Sequence, residues 1–195
     1  MTEMAMLVTP LLDLHRWTVN DFHQIIAAGV LDEDDRIELI NGVITQMSPM
    51  NARHGGCINR MITLLRHLDE LRYIVTVQNP VNLLNHSEMY PDLAIARFRA
   101  DFYATSHPTA ADILVVIEVA DTTLRSDRRV KAPLYAGAGI PEYWIVALNE
   151  HIVEQYSEPT NNAYQTMVQY QRDQTLQSTS ISELQLAVNA IVGSP

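Results

Sequence analysis

Three side chains in this sequence have the types and settings that metal-assisted chemistry on a phosphate ester requires. They are Asp92 directly after Pro91, Glu118 directly after the apolar run Ile113-Leu114-Val115-Val116-Ile117, and Lys131. A carboxylate that follows five large apolar residues is predicted to stand at the mouth of a buried strand. An ionised group there costs several kcal/mol unless a cation or hydrogen bonds compensate. A second carboxylate and an ammonium would supply that compensation. Two carboxylate donors suit Mg²⁺, with water and a substrate phosphate in its other positions, and the backbone carbonyl of Val119 could complete the protein's share. Lys131 would reach the site from the following helix, where its ammonium could orient an attacking water or stabilise charge at phosphorus.

The elements that must position these groups are readable from periodicity. Thr18 can cap a helix whose apolar positions Phe22, Ile25, Ile26 and Val30 recur at helical spacing, with Gly29 near its end. Residues 36–40 and 43–47 flank Asn41-Gly42 and predict a hairpin, because that pair accepts the positive φ angles of a two-residue turn. Glu38 lies in its first strand, on the face opposite Ile37 and Leu39. A long amphipathic helix is predicted over 52–71, then strands over 73–78, 81–84 and 92–96, a surface excursion over 98–111 and the buried strand 113–119. A helix capped by Thr122 or Thr123 should run to about Ala138, with Pro133 bending it or marking a late start. Strands over 143–148, 152–156, 163–170 and 184–188 close the chain. This order describes one α/β or α+β domain over 1–195 with a mixed sheet.

Composition limits the partners. Thirteen Lys+Arg against 23 Asp+Glu leave a net charge of −10, the opposite of what phosphate binding normally uses. Arg125, Arg128, Arg129 and Lys131 nevertheless cluster and could form a focused basic strip, or simply a solvated helix face. A basic groove or a homodimer partner could offset the acidic surface. Cys57 is the single cysteine, which excludes a disulfide framework within one chain and fits a reducing compartment. No stretch reaches the roughly 20 apolar residues of a membrane span, and the N-terminus lacks signal-peptide character, so a cytoplasmic protein without membrane contact is expected.

Each candidate also has a plain reading. Asp92 is equally an ordinary turn residue, Glu118 half of a structural ion pair, Lys131 with Asp127 a surface helix pair, and His54 a cap rather than a phosphate contact.

Several segments nonetheless resemble one family in the right order. They are Arg16-Trp17-Thr18, Glu38-Leu39-Ile40-Asn41-Gly42, Met47-Ser48-Pro49 with His54, Pro91-Asp92-Leu93-Ala94, Ile117-Glu118-Val119-Ala120-Asp121, the stretch 127–131, and the stretch 135–144. Together they closely resemble the Uma-two family of endonucleases, within the PD-(D/E)XK nuclease superfamily, over about 17–156. The resemblance implies a restriction-endonuclease-like mixed β-sheet flanked by α-helices, with additional N-terminal and C-terminal β-hairpins. It implies that Asp92 and Glu118 bind Mg²⁺ or Mn²⁺, that Lys131 is the catalytic amine, that Glu38 is an additional acidic residue, and that DNA is the substrate. The sequence departs from the superfamily's usual pattern in having Ala120, not lysine, two positions after Glu118, the lysine being drawn from the helix instead. A non-catalytic nuclease-fold module that binds DNA or a protein is the alternative, supported by the acidic balance.

Overall fold

The computed structural model describes residues 14–32 and 35–193; the expectation about the N-terminal residues falls on positions 1–13, outside them. Helix α1 (Val19–Ala27) begins as predicted. The Thr18 hydroxyl accepts the Asp21 N–H, and the Asp21 carboxylate accepts the Thr18 N–H, so two donors that a helix start leaves open are satisfied. Strands β1 (Ile37–Ile40) and β2 (Val43–Gln46) form the predicted hairpin, with φ of 48° at Asn41 and 73° at Gly42. Gly42 is needed twice over: for that φ, and because a Cβ there would stand 2.7 Å from the Arg16 Cβ.

Helix α2 (Ala52–Leu65) is capped by Asn51 and is shorter than predicted. Asp69 ends the helical pattern, its carboxylate accepting the Leu71 N–H and its carbonyl accepting those of Arg72 and Tyr73. Strands β3 (Tyr73–Val77), β4 (Val81–Leu84), β5 (Ser87–Met89), β6 (Leu93–Arg97) and β7 (Ile113–Ala120) follow. Strand β5 was not predicted, since three residues carry no usable period. It extends the N-terminal hairpin into a four-stranded sheet ordered β2-β1-β5-β4.

The predicted helix after β7 is divided into three. A single turn α3 (Leu124–Ser126) passes into a π turn over Asp127–Lys131 and then into α4 (Ala132–Gly137), with Pro133 in the first turn of α4. Proline has no N–H to give, and the Ala132 N–H instead reaches back five residues to the Asp127 carbonyl. The chain continues through β8 (Glu142–Ala147), β9 (Ile152–Thr160) and β10 (Ala163–Tyr170). These complete a six-stranded sheet ordered β10-β9-β8-β7-β6-β3, in which only β7 and β8 are parallel. The C-terminal strand is β12 (Gln185–Ala187), within the expected 184–188 and paired with β11 (Thr175–Gln177), and it runs at Val188, one residue before the expected end, into a helix, α5 (Val188–Val192). The Arg60 guanidinium binds the Ile191 and Val192 carbonyls at the open end of α5.

The mixed sheet flanked by helices is therefore as expected. One core cluster joins α2, α5 and the β7 side chains Val115, Ile117 and Val119; a second joins Val116 and Ala120 to Ala132 and Tyr135 of α4. Alternation along β7 thus puts Glu118 on the α4 side.

Glu142, which is fully buried at the start of β8, anchors the C-terminal segment to this sheet. Its carboxylate accepts from Trp144 Nε1, Gln155 Nε2, Ser178 Oγ and the backbone N–H groups of Thr179 and Ser180, at 2.6–3.0 Å. Glu142→Ala leaves those donors without their acceptor and is expected to lower the unfolding free energy by about 3 kcal/mol, visible as a lower urea midpoint.

Candidate active site

Strand β6 ends its pairing with β7 at Leu93↔Ile117, so the edge of β7 beyond that pair has no strand beside it. Asp92, one residue before β6, fills the gap with its side chain: Oδ2 accepts the Val119 N–H at 2.8 Å. The carboxylate is thereby tied to the residue next to Glu118. Its other oxygen, Oδ1, faces His54 Nε2 at 2.9 Å and Gln78 Nε2 at 3.3 Å. His54 stands in the first turn of α2, and its own N–H is capped by Asn51. Within a strand the N–H and C=O of one residue face the same edge, and the Ala120 carbonyl is turned to Leu148 beyond β8. The Val119 carbonyl therefore faces the Asp92 side.

Glu118 is 4% exposed and is met from the helical segment. Lys131 Nζ donates to its Oε1 at 2.9 Å, and the Tyr135 hydroxyl donates to the same oxygen at 2.8 Å. Asp127, 1% exposed, accepts the Thr123 hydroxyl at 2.6 Å through Oδ2, while Oδ1 lies 4.0 Å from Lys131 Nζ and has no hydrogen bond. The surface-pair reading of Asp127 and Lys131 does not hold, because Asp127 is buried and Lys131 is partly buried with its ammonium on Glu118 of β7. Glu38 comes from the other sheet; it is 6% exposed, and its Oε2 has no hydrogen-bond partner. Glu38, His54, Asp92, Glu118, Thr123, Asp127 and Lys131 line one cleft of about 470 Å³, and Gln78 and Tyr135 touch its residues from outside that lining.

Four carboxylates, Glu38, Asp92, Glu118 and Asp127, thus share the neighbourhood of one ammonium. Burial pushes the Glu118 carboxyl up to about 8, against the opposing pull of Lys131. Burial likewise raises Glu38 and Asp127, with Lys131 again the main opposing influence. For Lys131 burial disfavours the charge, but Glu118, Glu38 and Asp127 outweigh it and lift the ammonium above its ordinary range. Burial and the neighbouring Glu118 hold the Tyr135 hydroxyl protonated, hence a donor.

More carboxyl groups are gathered here than one ammonium can pair, and burial favours their protonated forms, so a divalent cation could take the place of a retained proton. Among the described residues no three His, Cys, Asp or Glu side chains form a ready cage for one. Mg²⁺ does not need such a cage, since it is ordinarily held by one or two carboxylates and keeps several waters. The donor set of Asp92, Glu118 and the Val119 carbonyl fits that habit.

The candidate metal, catalytic and auxiliary residues named from the sequence are all found around this cleft, namely Asp92, Glu118, Val119, Lys131, Glu38, Asp127 and His54, whereas Arg125, Arg128 and Arg129 of the expected basic strip are not, Arg128 being paired with Glu150 and Glu154. Tyr135 and Gln78 were not foreseen. Tyr135 had a signal, lying one helical repeat beyond Lys131. Gln78 had none, because only the register Val77↔Leu93 sets it opposite Asp92.

No curated protein matches the chain. Among solved structures, the fold is shared with one described as a "putative nuclease belonging to DUF820 from Anabaena variabilis ATCC 29413", with a TM-score of 0.68 and 14% identity over 90% of this chain and 97% of the other. The family profile Uma2, described as "Putative restriction endonuclease", matches residues 19–189. With that match spanning both sheets and every lining residue of the cleft except Arg16, the chain belongs to the Uma2 family.

Proposed function

We propose that this protein is an endonuclease that hydrolyses DNA phosphodiester bonds with Mg²⁺ or Mn²⁺, acting in the cytoplasm as one domain over 1–195. No helix among the described residues is long and apolar enough to cross a membrane. The observation that carries the reading is Lys131 Nζ bonded to buried Glu118 beside the Asp92–Val119 bond, in a cleft with more carboxylates than cations. Family membership and the shared fold support it.

Asp92, Glu118 and the Val119 carbonyl are the groups that would hold the cation. When bound, it would lower the pKa of a coordinated water and neutralise charge on the phosphate. Lys131 keeps its proton throughout, orienting the attacking oxygen and offsetting negative charge as the new P–O bond forms and the bond to the leaving oxygen breaks. Asp127 and Glu38 keep that ammonium charged through their electrostatic influence. His54 holds Asp92 from the opposite side, limiting its rotation. Arg16 and Arg36, at the rim of the same cleft, are positioned to meet the backbone phosphates despite the net charge of −10. Assembly as a homodimer would double the site and so suit two-strand cleavage.

The net charge favours one competing reading, a nuclease-fold module that binds DNA or a protein without cleaving it. The two part on Lys131. With single-stranded, double-stranded and branched DNA in Mg²⁺, Lys131→Ala is expected to lose at least about 100-fold in cleavage while still binding DNA. A wild-type protein that binds DNA but cuts none of the three, with either metal, is the binding module instead. Chelation by EDTA should abolish cleavage by the wild type.

A second prediction concerns pH. In metal-free protein the folded Glu118 carboxyl titrates near 8 rather than at its ordinary 4.5. Between those values the unfolded chain has released a proton that the folded chain retains, so stability should fall as pH rises through this window. Thermal unfolding in EDTA should record that decline in the wild type and a flatter profile in Glu118→Gln. Added Mn²⁺ should offset the decline in the wild type, since a ligand bound only by the folded state raises its stability.

A further inference from the structure

The two hydrogen bonds received by Glu118 both fall on one oxygen. Lys131 Nζ at 2.9 Å and the Tyr135 hydroxyl at 2.8 Å converge on Oε1, and Oε2 has no hydrogen-bond donor among the described residues. A carboxylate pinned through one oxygen cannot turn about its Cγ–Cδ bond without breaking both contacts. It therefore offers the cleft a single, oriented oxygen. Lys131 alone would not achieve this, because an ammonium on a flexible four-carbon stem can follow a rotating carboxylate. The Tyr135 hydroxyl cannot follow. Its ring is fully buried in α4 and packs on Tyr143 at 4.9 Å between centroids, so the hydroxyl is a fixed point.

The neighbour provides the contrast. Tyr143 is equally buried, belongs to the same cluster of tyrosines, and its hydroxyl has no hydrogen-bond partner. The cluster thus accommodates a phenol without an acceptor, and packing by itself does not explain why Tyr135 meets Glu118.

We infer that Tyr135 is a positioning residue for the cation: it does not touch the metal or the substrate, but locks Glu118 with Oε2 turned into the cleft as a one-oxygen ligand. The inference rests on the metal-dependent reading above and adds a residue to it. Support groups of this kind typically contribute about 10–100-fold in metal affinity.

The test compares wild type, Tyr135→Phe and Tyr143→Phe as full-length chains. Each is titrated with Mn²⁺ while the free ion is followed by its electron paramagnetic resonance signal, and each is melted in EDTA. Tyr135→Phe keeps the ring and is expected to stay folded while binding Mn²⁺ at least about 10-fold more weakly. Tyr143→Phe should bind as the wild type does. Three outcomes overturn the inference: Tyr135→Phe binding as tightly as wild type, Tyr143→Phe losing as much affinity as Tyr135→Phe, or Tyr135→Phe failing to fold without metal. If the wild type itself takes up no Mn²⁺, the metal-dependent reading falls and this inference falls with it.

Discussion

Burying one carboxylate sets the terms for the surrounding structure. All eight residues of β7 are buried, and Glu118 is among them. An ion there needs hydrogen bonds and an opposite charge within reach, or it ceases to be an ion. Both come from the segment 127–137, so that segment must lie across the face of β7 to which Glu118 points. The π turn at Asp127–Lys131 is part of the same solution. It lets the chain pass Pro133 while Asp127, Lys131 and Tyr135 all remain directed at the strand. The compensation is incomplete, because each group that steadies Lys131 is itself a buried carboxylate. That surplus of carboxyl groups over the single ammonium distinguishes the cleft from an ordinary structural ion pair.

Asp92 follows from a second constraint, the satisfaction of backbone groups. Beyond Leu93↔Ile117 the edge of β7 loses its neighbour, and a buried N–H without an acceptor is costly. The Asp92 side chain replaces the missing strand at Val119. One contact thus repairs the ladder, sets a second carboxylate beside Glu118 and leaves the Val119 carbonyl on the same edge. Glu38 reaches the cleft from a different sheet, so the site lies where the two sheets meet rather than on either alone.

This division also explains how a fold can be shared at 14% identity. The two core clusters need apolar residues of suitable volume on alternating positions, and many sequences meet that need. The demands at the cleft are narrower, involving charge, length and hydrogen-bonding capacity at particular positions. The Asn41-Gly42 turn is similarly narrow, because it combines positive φ with close packing on Arg16.

Local chemistry made much of this legible before any tertiary structure. Thr18 as a cap, Asn41-Gly42 as a turn, the helical stripe from Ile58 to Leu65 and the buried strand ending near Glu118 each depend on neighbours in the chain. The sequence by itself therefore determined the kinds of element, their order and the small set of residues able to do chemistry. It could not determine where α2 would stop, since Asp69 competes with the helix through its own hydrogen bonds, nor that three residues at Ser87–Met89 would pair as a strand. Only the tertiary structure decided that Asp92 would cap the Val119 N–H, that Glu38 would face Lys131 from a second sheet, and that Lys131 and Tyr135 would share one oxygen of Glu118. The reason is physical. Caps, turns and periodicity are satisfied within a few residues, whereas a buried charge is settled by whatever groups the packing of distant segments brings within hydrogen-bond reach.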